Sequence, residues 1–349
     1  MAPSSTASRY PRPPFLVRDA LRAGVPEGVL RSRRYCAPVP GVRMDARLQA
    51  DLVAVCRAVA LTLSDGAAFC GPTAAALWDL PLERRTRAAA LERLHAVGTG
   101  GRPSAAARVV GRRGLAPGDR TSHLGVPVTT PLRTWRDLGA VDLSDSTRVP
   151  HPAGVDPRHE ELVVATDALV ASDAMHGDVP RYGLRRLDLE RAAESWTGVR
   201  GVRSLRSAVA DARQFVDSAP ETRVRLRVVA SGFPCPVVGA DLVTASGLWL
   251  ARPDLCWPEI GVAIEYDGEH HVDRRQLASD TARRDAMDAI GWRCIVLYQE
   301  DVGSRWSRTI RRLRDAFTDQ GCVDPGRIAS APDTVERRRI VCTRLAARR

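Results

Sequence analysis

Three acidic residues lie inside or beside an apolar run in the segment RPDLCWPEIGVAIEYDGEHH: Asp254, Glu265 and Asp267. Isolated carboxylates are costly to bury in an apolar sheet. Side chains alternate along a strand, so GVAIEYDG places Glu265 and Asp267 on the same face as the small Ala263. The turn at WPE predicts a hairpin. A register that pairs Asp254 with Ala263 sets Asp254 diagonal to Glu265 on that same face.

Three carboxylates on one face of a sheet repel one another unless a cation lies between them. Hard oxygen ligands with room for water suit Mg²⁺ or Mn²⁺. Such an ion polarises a phosphodiester oxygen and lowers the pKa of a bound water, which becomes the nucleophile. The alternative is that these acids form ion pairs with nearby arginines at a sheet edge.

The charge of the whole chain indicates which substrate such a site would meet. The 349 residues carry a net charge of +11, and all 52 basic residues are arginine. This balance favours a polyanionic partner, nucleic acid first and an acidic membrane second. No apolar run of about 18 residues predicts a membrane span, and the first residues lack the apolar segment of a secretory signal. The eight cysteines form no C-x-x-C pair, which predicts reduced thiols in the cytoplasm.

The elements that must position the acids follow from the surrounding pattern. A helix is predicted from Ser218 as N-cap, with Glu221 in its first turn and Gly232 at its end. Three strands follow in CPVVGADLVTA, GLWLARPDLCW and IGVAIEYDG. A charged helix over 275–290 stops at Gly291, and WRCIVLYQ and SRWSRTIRRLRDAF add a strand and a last helix. The predicted order is αβββαβα, which sets the acids on the middle strands.

The N-terminal segment FLVRDALRAGVPEGVLRSRR predicts a helix that includes Leu16, a glycine-containing turn and a second helix. This is the layout of a helix-turn-helix whose second helix carries Arg31, Arg33 and Arg34 toward DNA. A plain helical hairpin with a solvated basic end shows the same pattern. YCAPVPGVRM is the wing or strand that follows.

The acidic motif, Pro253-Asp254 followed by Glu265-Tyr266-Asp267 on the next strand of an αβββαβα core, resembles the PD-(D/E)xK nuclease fold. In particular it resembles the very-short-patch-repair-like (Vsr-like) branch that is widespread in actinobacterial proteins. The similarity covers about residues 218–320. It implies that Asp254 and Glu265 are metal ligands and that the Tyr266 carbonyl is a third.

Two further acids have a place in this resemblance. Asp267 occupies the position of the family's lysine, and an aspartate cannot supply its positive charge. Asp267 therefore ligates the metal or acts as a general base, or the site is weakened. Glu221 matches the helical acid that some members use at the site, so the implied metal ligands are Asp254, Glu265, Asp267 and Glu221.

Basic residues after the motif strand complete the implied site. His270 and His271 resemble the histidines that deliver or accept a proton in Vsr-type enzymes, with His271 the catalytic candidate. A surface loop without a role accounts for them equally well. Arg283 and Arg284 on the next helix contact phosphate or form ion pairs on the helix surface.

The N-terminal half resembles the AbiEi-type antitoxin or transcriptional-regulator domain, a winged helix followed by an α+β unit. The segments that carry this resemblance are FLVRDALRAGVPEGVLRSRR, GPTAAALWDLPL and GVPVTTPLRTWRDL. The sequence thus predicts an α/β (α+β) multidomain protein. The predicted divisions are a disordered N-terminus 1–14, a winged helix-turn-helix 15–45, an AbiEi-like domain 46–143, a linker 144–158, a helical connector 159–217, a nuclease domain 218–322 and a loosely ordered basic tail 323–349.

The function predicted from these features is a metal-dependent DNA endonuclease with an N-terminal DNA-binding module. A DNA-binding regulator or antitoxin-like protein with an inactive nuclease-fold domain is the alternative, and the aspartate at position 267 favours it. RNA processing within a toxin–antitoxin pair is a third interpretation, because nothing in the residues separates DNA from RNA. A homodimer or a toxin–antitoxin partner is left open, and no membrane partner is expected.

Overall fold

The computed structural model describes residues 14–104, 106–141, 143, 152–173, 179–268, 285–332 and 338–342. The chain divides into two compact units, Met1–Asp145 and Ser146–Arg349. Both units combine helices with sheets, so the predicted α/β multidomain class is confirmed at that level. The predicted disordered N-terminus lies outside the described residues except for Pro14. Each unit is described below by itself.

The first unit begins with short strands and helices and continues into a larger sheet. Its elements in chain order are β1 (Phe15–Leu16), α1 (Val17–Arg22), α2 (Glu27–Leu30), β2 (Tyr35–Cys36), β3 (Val42–Asp45), α3 (Leu52–Ala60), β4 (Ala68–Phe69), α4 (Gly71–Leu77), α5 (Arg84–Glu92), β5 (Leu94–Gly98), β6 (Val109–Arg113), β7 (Arg120–His123), β8 (Val126–Thr129) and α6 (Pro131–Leu138).

Two sheets organise this first unit. The smaller one has the order β1-β3-β2, and the larger one has the order β6-β5-β4-β8-β7. One hydrophobic cluster joins Val42 and Met44 of β3 to Val55 of α3 and to Leu94 and Val128 of the larger sheet. The predicted winged-helix and α+β segments therefore share a single core.

The structure matches the predicted N-terminal helix-turn-helix and wing only in part. Leu16 lies in β1 and pairs with Val42, so the prediction that the first helix includes it was wrong. YCAPVPGVRM does form a hairpin, because Cys36 on β2 pairs with Met44 on β3. The second helix, α2, spans one turn only, which is too short for the recognition helix that the pattern predicted.

The second unit contains a helical group, a central sheet and a smaller sheet. Its elements are α7 (Pro157–Val170), β9 (Ser172–Asp173), β10 (Val179–Pro180), α8 (Arg186–Ser195), α9 (Val202–Asp211), α10 (Ala219–Ala230), β11 (Val237–Val238), β12 (Asp241–Val243), β13 (Trp249–Ala251), β14 (Leu255–Trp257), β15 (Val262–Tyr266), α11 (described over 285–289), β16 (Arg293–Leu297), α12 (Gln299–Val302), α13 (Trp306–Asp319) and β17 (Arg339–Val341).

The central sheet has the order β11-β14-β15-β16, with β15 antiparallel to β14 and parallel to β16. Each of the first two predicted strands is divided between this sheet and the smaller sheet β13-β12-β17. Gly239 lies between β11 and β12 with a φ of +52°, a conformation that glycine adopts readily. Pro253 falls between β13 and β14, where a residue without an N–H cannot extend a ladder.

Helices cover both faces of β15. Val262 and Ile264 belong to a cluster with Val228 of α10 and Phe317 of α13. Ala263 belongs to a separate cluster that includes Met287 of α11. The predicted alternation along this strand is therefore confirmed, and both of its faces are buried up to the point where the acids begin.

The predicted helix ends in this unit are confirmed. Ser218 caps α10 by accepting the Glu221 N–H at 3.4 Å, and Gly232 follows with a φ of +92°. Gly291 ends α11 with a φ of +79°, and the Trp292 N–H bonds the Met287 carbonyl at 3.0 Å. This is the glycine-terminated C-cap that the sequence predicted.

Three ion pairs join α7 to α10. Their partners are Arg223 with Glu161, Arg225 with Asp167 and Arg227 with Glu160, at 2.6–2.9 Å. All three acids and two of the three arginines are less than a tenth exposed. The predicted helical connector and the predicted nuclease domain are thus tied together by buried charge.

The C-terminal tail is not loosely ordered throughout, contrary to the sequence prediction. Arg339–Val341 forms β17, which runs parallel to β12 with Ile340 opposite Leu242. The adjoining Cys342 is buried in the cluster around Leu242. Within β17 only Ile340 is partly buried against that cluster, and Arg339 and Val341 are exposed.

Candidate acidic site at the end of the central sheet

The register of β14 and β15 decides where Asp254 lies. Leu255 pairs with Ile264 and Cys256 with Ala263, so the same register continued by one residue puts Asp254 directly opposite Glu265. The predicted pairing of Asp254 with Ala263 was therefore wrong by two residues. A shift of two preserves the face, because side chains alternate with a period of two. Directly opposite Cβ atoms lie about 4.5–5.5 Å apart, closer than the predicted diagonal.

Asp254 is held at the end of the strand pair by the backbone. Its Oδ2 accepts the Tyr266 N–H at 2.6 Å, and its carbonyl accepts the Gly239 N–H at 2.9 Å. Pro253 cannot offer the next ladder bond, so the Asp254 carboxylate takes over the pairing of the strand. This contact fixes the carboxylate beside Glu265, and both side chains are partly exposed.

Glu221, in the first turn of α10, lies close enough to Asp254 to feel its charge. It is 7% exposed, and its Oε2 accepts the Asp217 N–H at 3.0 Å. Burial, and after it the negative charge of Asp254, raises the pKa of Glu221 to about 8. The S-x-x-E spacing from Ser218 marks Glu221 as a capping-box residue. Capping explains the position of Glu221 in the helix, but it does not explain why Glu221 lies beside the carboxylate of Asp254.

Asp267 lies beyond the end of β15 and is exposed. Its N–H donates to the Leu297 carbonyl at 2.8 Å, which continues the ladder with β16. Within the described part of the chain, no group of three or more His, Cys, Asp or Glu side chains is arranged to hold a metal ion. The described residues therefore bring Glu221, Asp254 and Glu265 to one end of the sheet without forming a complete ligand set.

The predicted basic residues of the site are not placed by the structure. His270, His271, Arg283 and Arg284 all lie outside the described residues. The described part of α11 approaches the face of β15 that carries Ala263, through Met287. Their predicted roles stay predictions.

The N-terminal arginines predicted to meet DNA follow α2 rather than lying on it. Arg31 is the C-cap of that helix, and Arg33 and Arg34 belong to the turn after it. All three are exposed, and Arg31 pairs with Glu27 at 2.5 Å. The prediction that a second helix carries them was wrong, because the helix ends after Leu30.

Sequence reasoning missed two groups of charges. The acids of α7 lie in EELVVATDALV, whose apolar spacing drew attention to the core and not to its charges. Four arginines, Arg93, Arg102, Arg112 and Arg113, line one cleft in the first unit. The only signal for them was the basic residues that flank the strand VVGRR, a pattern that a solvated strand end shows equally.

Comparisons with known proteins find few relatives. Two proteins of Mycobacterium tuberculosis, from strains CDC 1551 / Oshkosh and ATCC 25618 / H37Rv, are each 27% identical over 130 residues. Both are named as uncharacterized proteins, and the match covers 37% of this chain and 47% of each relative. The chain thus spans about half the length of the curated relatives it matches. No family model and no solved structure matches the chain.

Two general properties of the chain also follow from the structure. None of the helices in the described ranges is long and apolar enough to cross a membrane. All eight cysteines lie among the described residues and none forms a disulfide bond, as the scattered spacing predicted.

Proposed function

We propose that this protein is a metal-dependent nuclease that hydrolyses phosphodiester bonds of DNA. The observation that carries the proposal is the β14–β15 register, which when continued by one residue places Asp254 opposite Glu265. The raised pKa of Glu221 beside Asp254 supports it, because neighbouring carboxylates favour either a shared proton or a bound cation.

The donor atoms are of the type that a hard divalent cation binds, although the described residues do not form a complete ligand set. Asp254 and Glu265 lie on one face of the strand pair, and both offer carboxylate oxygens, the ligands that Mg²⁺ and Mn²⁺ prefer. With the Tyr266 carbonyl they would hold the ion, which supplies Lewis-acid activation of a phosphodiester and of water. Glu221 would then lose its proton and contribute negative charge. The net charge of +11 favours approach of a nucleic acid.

The element order also supports the proposal. A capped helix, antiparallel strands that carry the acids, a second helix, a parallel strand and a final helix follow one another between Ala219 and Asp319. This is the order that the resemblance to the PD-(D/E)xK nucleases implies. The predicted N-terminal regulator domain would then supply DNA binding.

A plasmid assay tests the nuclease proposal. Wild-type protein with Mg²⁺ or Mn²⁺ should nick supercoiled DNA, and Glu265→Gln should lower the rate by at least about a hundredfold, since it removes a charged ligand without changing side-chain volume. Glu259→Gln is the matched control, because Glu259 is an exposed acid in the turn of the same hairpin. Equal nicking by wild type and Glu265→Gln, or no nicking by either, would rule the proposal out.

A second function is favoured by one specific observation. Asp267 is exposed and acidic at the position where the resembling nucleases carry a lysine. A DNA-binding regulator with an inactive nuclease-fold domain would tolerate this residue. It predicts salt-sensitive DNA binding that is unchanged in Glu265→Gln and no metal-dependent cleavage, so the same two proteins distinguish the functions.

A further inference from the structure

Away from the acidic site, the first unit contains a cleft along β6, the outermost strand of its five-stranded sheet. The cleft has a volume of about 420 Å³. Four arginines line it: Arg93, Arg102, Arg112 and Arg113. Among the described residues that line this arginine cleft there is no aspartate or glutamate. All the charged side chains that line the cleft are therefore positive.

These four guanidinium groups differ from the other arginines of the same unit. Arg133 is paired with Asp119 and with Asp137, and Arg108 donates to the Leu91 carbonyl at 2.6 Å. Across the described ranges of the chain, none of the four arginines of the cleft forms an ion pair or a side-chain hydrogen bond. Arg93, Arg102 and Arg113 are exposed, and Arg112 is half-buried. Their donors are available to an external anion.

The backbone holds the walls of the cleft together. A Cβ on Gly111 of β6 would lie 2.9 Å from the Pro103 ring, so only glycine admits the loop at this distance. The Pro103 carbonyl accepts the Ser64 N–H at 2.8 Å, which anchors the loop from the other side. Arg102 is therefore kept beside the middle of β6, and the four charges stay together despite their mutual repulsion.

A partly buried histidine lies within the resulting positive potential. Burial, and after it the positive charges of Arg112 and Arg93, lower the pKa of His95 to about 4. His95 is consequently neutral at pH 7, and it adds no charge to the cleft. The fixed positive charge of the cleft comes from arginine alone and does not change across the physiological pH range.

We propose that the arginine cleft binds consecutive phosphates of a nucleic acid backbone. Guanidinium groups match phosphate oxygens in a bidentate geometry. Four of them in one cleft exceed the charge of a single phosphate and suit several along a strand. Contacts of this kind position the nucleic acid without reading its sequence. A free nucleotide is the other source of the same phosphate chemistry, and the experiment separates the two.

Binding of fluorescent DNA to the full-length chain tests the proposal by anisotropy. Arg112→Ala/Arg113→Ala should weaken binding about tenfold near 100 mM salt and lower the log–log salt slope by about 1.8 on duplex and about 1.4 on a single strand. Arg112→Lys/Arg113→Lys should retain most of the slope, because the charge remains. Arg84→Ala is the matched control, since Arg84 is exposed at the opposite end of α5.

Three results would overturn the proposal. The first is an unchanged salt slope in Arg112→Ala/Arg113→Ala, and the second is an equal loss in Arg84→Ala. The third is a cleft that binds ATP in an Arg112-dependent manner while DNA binding is unaffected, which identifies a nucleotide site. An unchanged thermal midpoint in all variants ensures that folding does not explain a loss.

The inference does not rest on catalysis. A chain that binds DNA through the arginine cleft and never cleaves it satisfies the inference and contradicts the nuclease proposal. Glu265→Gln should keep both the affinity and the salt slope of the wild type. Arg112→Ala/Arg113→Ala should keep the divalent-cation binding of the acidic site, measured by calorimetric titration with Mn²⁺.

Discussion

Arginines serve opposite purposes in two regions of this molecule. Between α7 and α10, Arg223, Arg225 and Arg227 each face a buried carboxylate. In the arginine cleft, none of the four arginines forms an ion pair within the described residues, although the charge of Arg112 acts on the buried Asp137. Paired and buried charges offset one another and fix the contact between two helices. Unpaired charges that share a cleft raise the local potential, which is an arrangement for binding an anion rather than for stability.

The largest expected effect comes from breaking a pair. Arg225→Ala should lower the free energy of unfolding by about 3–5 kcal/mol, because it leaves the Asp167 carboxylate buried without its cation. Asp167 is 1% exposed and also accepts from the Thr222 hydroxyl at 2.7 Å. Urea denaturation measures the loss. Arg31→Ala, which breaks the exposed pair with Glu27, should cost only about 0.2–0.5 kcal/mol.

Non-additivity sharpens this first prediction. The double variant Asp167→Ala/Arg225→Ala should lose less than the sum of the two single variants, since neither charge remains buried alone. Additive losses would show that the pair contributes packing only. The same cycle at Arg31 and Glu27 should be additive, because solvent screens that pair.

The next prediction concerns Glu221, whose carboxyl lies beside that of Asp254. Its expected effect on the free energy of unfolding is smaller and depends on pH. The pKa of Glu221 is raised from 4.5 to about 8, so the folded state holds a proton that the unfolded state releases between those values. The contribution of Glu221 to the free energy of unfolding is therefore complete at acidic pH and falls as pH rises through this window. Glu221→Gln should make stability decline less between pH 5 and 8.

Urea unfolding at several pH values measures that slope. Glu259→Gln on the exposed turn should leave it as in the wild type. If Glu221→Gln and wild type lose stability in parallel, the carboxyl is not the group that holds the proton. Saturating Mn²⁺ should also flatten the wild-type slope, because a cation replaces the proton between the acids.

The smallest expected effect on stability belongs to the unpaired arginines. Arg112→Ala/Arg113→Ala should change the free energy of unfolding by less than about 0.5 kcal/mol, since neither side chain has a partner to lose. The pKa of His95 should rise from about 4, because a neighbouring positive charge has gone. An NMR titration of the His95 ring measures it. A loss of stability like that of Arg225→Ala would remove the distinction between the two regions.

Prediction from sequence succeeded where the signal is local. The cap at Ser218, the glycine at position 291 and the alternation along β15 were all confirmed. Each depends on a few neighbouring residues and on backbone geometry that holds in any protein. The pairing of strands that are distant in sequence has no such local signal. The predicted register of Asp254 was wrong by two residues, and two predicted strands are each divided between two sheets.

The sequence by itself determined that Glu265 shares a face with Ala263, that Glu221 lies in the first turn of a helix and that the chain is strongly basic. Only the tertiary structure decided which acid lies opposite which, and which arginines are neutralised. Charges at distant positions interact once the chain has folded, at distances that no local spacing encodes. Arg225 and Arg112 look alike in the sequence, and the difference between them is the presence of Asp167.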